Sequence, residues 1–114
     1  MNTNARHFAL YKKECKKHAS KLSLKEWALY FEHGNGIEGS LSSCSVDFGP
    51  HSAILYLGKD WNIPITNDDI AMCARHEVME IMLFPVRFML WERFNVDVVD
   101  EEIHKIINRL EGAI

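Results

Sequence analysis

The sequence predicts an α+β fold from three observations: an N-terminal apolar helical repeat edged with lysines, short alternating segments punctuated by Gly and Pro from Glu26 to Leu57, and two further helical repeats after Thr66. The expected order is an N-terminal helix, a three-stranded antiparallel sheet, a buried central helix and a C-terminal helix. With 114 residues, the chain should form one domain, 1–114. A hydrophobic share of 47% with 25% charged residues fits a globular protein and not a disordered one.

Several function classes fall away on composition. A net charge of -3 gives no general reason for nucleic-acid binding, although the first residues are locally basic. Cys15, Cys44 and Cys73 are odd in number and lack CxxC spacing, which points away from a disulfide framework and a cysteine zinc knuckle, and toward a reducing compartment. The N-terminus lacks the apolar core of a signal peptide. No run approaches the ~20 apolar residues of a membrane span, so the expected location is the cytoplasm.

From Asn4 to about Leu22, Phe8, Tyr11, Cys15, Ala19 and Leu22 share one helical face, and Lys13, Lys16 and Lys17 take the other, read as a solvated face. From Glu26 the period becomes two: Trp27, Leu29 and Phe31 point one way, Ala28, Tyr30 and Glu32 the other, as in a strand. A capping box of Ser23 and Glu26 is the rival reading and would start a helix at Leu24. Gly34-Asn35-Gly36 reads as a turn, Ile37 to Phe48 as a less buried edge strand, and His51 to Leu57, after Gly49-Pro50, as a more deeply buried one. The three together make an antiparallel meander.

Thr66 and Asp69 cap the next helix, with Asp68 and Asp69 at its positive end. It runs from about Asn67 through Phe84, with Trp91 as its outer limit, and Pro85 should kink or break it. Being apolar almost all round, it should be the buried central helix, with Met72, Met79, Met82 and Met89 as core filling. At about 100° per residue, Cys73, His76, Glu77, Glu80, Phe84 and Arg87 fall on one stripe. Ionisable groups on a helix built for burial need a partner, a metal or a cleft, because an unpaired buried charge costs several kcal/mol.

A metal would meet that need. His76 and Glu80, four apart, can reach one ion through an imidazole nitrogen and a carboxylate oxygen, with Glu77 beside the ion as a base for its bound water. The stretches WALYFEHGNG, SAILYLGKDW, AMCARHEVMEIML and DEEIHKIINRLE together resemble a minimal zincin-type metallopeptidase, similar to the small metallopeptidase-like proteins of bacteriophage genomes. The resemblance implies a zincin-like domain in which His76 is the first zinc ligand, Glu77 the general base, and Glu80 stands where the family's HExxH motif has its second histidine. It also implies a third ligand from the C-terminal helix. Taking that helix's apolar face as Val99, Ile103, Ile106, Ile107, Leu110 and Ile114, Glu102 at its edge is the first choice and His104 the second. A histidine with two carboxylates suits zinc, manganese or iron.

Plainer readings stand beside these. His76 and Glu80 can form an i,i+4 pair with Arg75 or Arg87 balancing the acids, and Asp100, Glu101 and Glu102 can be first-turn acids of the last helix. Cys73 reads as a small buried hydrophobe, and His33 and His51 as turn or surface residues. Phe88, Trp91 and Phe94 would form a partner surface if Pro85 turned them outward. Two functional classes remain: a metal-dependent peptidase acting on a polypeptide substrate, and a catalytically silent zincin-like module that binds a host protein, in the host cytoplasm if the chain is phage-encoded.

Overall fold

The computed structural model describes residues 1–113. Helix α1 spans Ala5–Lys21. Asn4 caps it: the Asn4 side chain accepts from the His7 backbone N–H, and His7 Nδ1 accepts from that of Asn4, each at 3.0 Å. This exchange satisfies two of the donors that a helix N-terminus leaves unpaired. Tyr11, Cys15 and Ala19 form its buried stripe. Ser23, at φ 57°, turns the chain off the helical path, and no helix starts at Leu24.

The strands are β1 (Ala28–His33), β2 (Ser42–Asp47) and β3 (Ser52–Leu57). Their spatial order is β1-β3-β2, with β2 antiparallel and β1 parallel to β3. The sheet is therefore mixed, and the expected meander is corrected: only β2 and β3 make a hairpin. Residue alternation reports which face a side chain takes but not which strand lies beside it. The expectation for β3 holds, since as the central strand it buries Ala53, Leu55 and Leu57.

Residues 34–41 make the unexpected topology possible. They do not form a tight turn into a neighbouring strand but carry the chain past the end of β3 to the far edge. Gly34 N–H donates to Leu57 O at 2.7 Å and Gly58 N–H to Leu41 O at 2.8 Å, tying both ends of this crossing to the end of β3. Gly34 and Gly39 take φ values of 95° and 82°, which glycine adopts without strain. A Cβ on Gly58 would lie 2.5 Å from Ser40 O and 3.0 Å from Leu41 O. Gly58→Ala should therefore cost about 1–3 kcal/mol and lower the melting temperature by several degrees in a calorimetric scan.

Helix α2 spans Asn67–Trp91 and passes through Pro85 without a break. Thr66 Oγ1 accepts from Asp69 N–H at 3.1 Å, as its spacing predicts. It is buried only over its first two-thirds, through Ile70, Cys73, Ala74, Val78, Met79 and Ile81. Its last turns are covered on one side only, by α3, leaving Val86, Phe88 and Met89 exposed; Met72 is exposed too and Met79 is core, which corrects the expectation of a buried helix with these methionines as core filling. Helix α3 (Val96–Ala113) packs Val99, Ile103 and Ile107 onto Met79 and Leu83. One core thus lies among α1, α2 and the sheet, and a second between α2 and α3. The ionisable stripe of α2 faces the gap between β2 and α3. Trp91 packs on Phe84 and donates Nε1–H to Asp100 at 2.9 Å, so it is not part of an outward surface, whereas Phe88 and Phe94 are exposed.

Candidate metal centre

His76, Glu77, Glu80, Phe84 and Arg87 of α2 line one cleft of about 270 Å³, closed on one side by β2 and on the other by His104 of α3. Cys73, the sixth residue of the stripe, lines an adjoining hollow that shares Ser42, His76 and Glu77. Glu77 and Glu80 are nonetheless almost covered, at 6% and 8% exposure. Such carboxylates persist in a protein interior only where something answers them.

Three side chains converge. One ligand atom each of His76, Glu80 and His104 lies within 4.8 Å of the others, so this group can hold a metal ion. Nε2 of His76 and Nε2 of His104 stand 3.5 Å and 3.3 Å from the same Glu80 oxygen, Oε1. Two ligands of a tetrahedral ion at ~2.0–2.1 Å stand about 3.3 Å apart, so these spacings already match such an ion. The set is two histidines and one carboxylate, a combination that zinc hydrolases use. In this chain the motif helix bears one histidine and the carboxylate, and α3 bears the other histidine.

The surrounding groups fix these atoms. His76 Nδ1 is 2.7 Å from Glu111 Oε1, a contact that places a proton on Nδ1 in the neutral ring and leaves the Nε2 lone pair toward Glu80 and His104. Arg87 Nη1 donates to Glu80 Oε2 at 2.5 Å, and Arg87 Nε lies 3.4 Å from Asp100. One oxygen of Glu80 is thereby taken, and the other faces the histidines. Ser42 donates Oγ–H to Glu77 Oε2 at 2.6 Å, anchoring that carboxylate at the cleft wall. Burial pushes Glu77 above the ordinary carboxylate range, although Ser42 and His76 draw it back. Burial acts on Glu80 in the same direction, but His76, Arg87 and His104 outweigh it and hold Glu80 low.

Of the candidate ligands, His76, Glu80 and His104 come together and Glu102 does not. Glu102 is 61% exposed and pairs with Lys105 at 3.1 Å, beside Glu101. The helical face explains this correction: Ile106 is half open to solvent, and counting it as apolar core rotates the inferred face of α3 toward Glu102. With Val99, Ile103 and Ile107 alone as the buried stripe, Asp100, His104 and Glu111 fall on one flank, which faces α2. Asp100 and Glu111 were not singled out as site residues, and that flank was the signal for both. Arg87 and not Arg75 balances the acids, while Cys73 is buried as a small hydrophobe would be. His33 is stacked on Phe8 and His51 sits at φ 54° between Trp27 and Phe48, and neither lines the cleft.

Comparison with family models, with curated proteins and with solved structures finds no match for this chain. What the site can do therefore follows from its own geometry. Among the described residues, no helix is long and apolar enough to cross a membrane.

The same geometry sets a pH dependence. The contact with Glu80 and, less strongly, that with Glu111 raise His76 to about 9 against the opposing effect of burial. A histidine raised on folding stabilises fully below its unfolded value of about 6.5, and that stabilisation is lost as pH rises through the folded value. Metal-free protein should lose about 1–2 kcal/mol between pH 6.5 and 9, after allowance for solvent screening of a partly exposed ring, and His76→Ala should flatten the profile in urea melts. Metal affinity should run the other way, rising up to about tenfold per pH unit in that window as His76 gives up its proton.

Proposed function

We propose that the protein is a zincin-type, metal-dependent hydrolase of peptide bonds, with zinc held by His76, Glu80 and His104. The convergence of those three side chains beside the carboxylate of Glu77 carries this reading. A bound zinc ion would supply Lewis acidity, polarising a carbonyl oxygen and making water more acidic. Glu77, lining the cleft next to His76, accepts the proton of the attacking water as its oxygen bonds to the carbonyl carbon. It then delivers that proton to the departing amine as the C–N bond breaks. The Ser42 hydrogen bond leaves Glu77 little freedom to swing, so the base is held where it acts. Arg87 keeps Glu80 from turning both oxygens inward, and Glu111 keeps the His76 ring from rotating.

One observation favours a second reading, the catalytically silent module. Glu80 already receives Arg87 and two histidines, so its charge is answered without an ion, and the network alone can brace α2 against α3. Elemental analysis of protein purified without chelator, followed by an assay on casein and a quenched-fluorescent peptide mixture, separates the two. Near-stoichiometric zinc with turnover supports the hydrolase. No metal after dialysis against zinc leaves the silent module.

A further inference from the structure

A second cleft, of about 290 Å³, lies on the α1 side of α2 and is built from charged groups. Lys17, His18 and Lys21 of α1 form one wall, and Asp68, Met72 and Arg75 of α2 the other. Glu14 occupies Lys17 at 3.5 Å and His18 at 3.7 Å. Among the described residues, Arg75 and Lys21 have no ion-pair partner, and Arg75 Nε is buried without a hydrogen bond. A guanidinium nitrogen buried without an acceptor is uncommon, because that N–H gives up water without return. Burial first, with smaller contributions from Lys17, Lys21 and Arg75, keeps His18 below its ordinary range despite Glu14.

The charge is also segregated along the chain. The first 25 residues carry seven lysines and arginines against one glutamate, and the rest carry six against fifteen acids. We propose that this cleft binds an acidic stretch of polypeptide, whose carboxylates pair with the Arg75 fork and with Lys21. The planar guanidinium matches a carboxylate in two parallel hydrogen bonds. A nucleic-acid backbone fits less well: it carries charge continuously, with one per ~1.7 Å of duplex, whereas this cleft has carboxylates of its own, Glu14 and Asp68, among its cations. Asp68 and Glu14 at the rim penalise such a polyanion, whereas a short acidic segment can place its few charges between them. Met72 lines both this cleft and the hollow bounded by His76 and Glu77, so a chain anchored at Arg75 has a path toward the candidate metal centre. That last link rests on the hydrolase reading, and the binding does not.

Fluorescence anisotropy with a labelled peptide of about ten residues rich in Glu and Asp tests this, against a Gln/Asn counterpart and a single-stranded DNA of equal charge, without added metal. The acidic peptide should bind at least about tenfold more tightly than the amide counterpart and weaken as salt rises. Arg75→Gln should remove about tenfold of that affinity, the more exposed change Lys21→Gln should weaken binding without touching the core, and Lys105→Gln, which removes an exposed positive charge on α3, should leave it unaltered. Equal binding of the two peptides, undiminished binding by both Arg75→Gln and Lys21→Gln, or tighter binding of the DNA would overturn the proposal. Because neither metal nor turnover is read, a failed hydrolase assay does not bear on the result.

Discussion

His104→Ala is expected to abolish metal retention, whereas Glu102→Ala leaves it intact. Both residues lie on α3, two positions apart, but only His104 reaches Glu80, at 3.3 Å, while Glu102 is turned to Lys105 and solvent. Losing a hydrogen-bonded neighbour of a ligand costs about 10–100-fold in metal affinity, so losing a ligand itself should cost more than about 100-fold. The effect is visible in stability as well. At free zinc about 100 times its dissociation constant, binding adds about 2.7 kcal/mol, which for a domain of this size raises the melting temperature by about 10 °C. Thermal scans with and without zinc should show that rise for wild type and Glu102→Ala and none for His104→Ala. A zinc-dependent rise that persists in His104→Ala would exclude this residue as a ligand.

Glu77→Gln should separate chemistry from structure more sharply than any other change. The amide keeps an oxygen to accept from Ser42 and keeps the shape of the side chain, but it cannot take a proton. General-base catalysis is worth about 10²–10⁴ in rate, so turnover should fall by about a thousandfold with metal content unchanged. The stability effect has the opposite sign. Burial raises the folded carboxyl above its unfolded value, so ionised Glu77 at neutral pH opposes folding, and removing the charge should leave the melting temperature equal or higher. Lost turnover with retained zinc and an undiminished melting temperature marks Glu77 as the base. A lower melting temperature together with lost zinc would instead assign it a structural part.

Much of this arrangement was legible before the structure. The stripe on α2 followed from helical geometry alone, because every member of it depends only on spacing along one continuous element. His104 was harder to rank, because its place depends on how α3 is rotated against α2, and a single half-exposed isoleucine, Ile106, shifts that estimate. Glu111 lies 35 residues from His76, and nothing local to either predicts their contact. The sheet failed in a different way. Burial alternation in β1, β2 and β3 is largely as the residues indicate, but strand order depends on where residues 34–41 lead the chain, and a glycine-rich segment specifies freedom more than direction. Gly58, whose missing side chain permits the crossing, sits in a segment that reads as an ordinary loop.

The placement of β3 between two strands that precede it has a consequence for how the chain acquires its structure. β1 has no sheet partner among the residues before it or immediately after it, and its only neighbour in the sheet, β3, begins nineteen residues beyond its end, at Ser52. During synthesis β1 must therefore wait, with the alternating face of Leu29 and Phe31 open to other chains, until the β2–β3 hairpin has emerged to receive it. The hairpin closes a short loop and can form within microseconds, whereas docking of β1 requires the longer closure and should be the later event in folding.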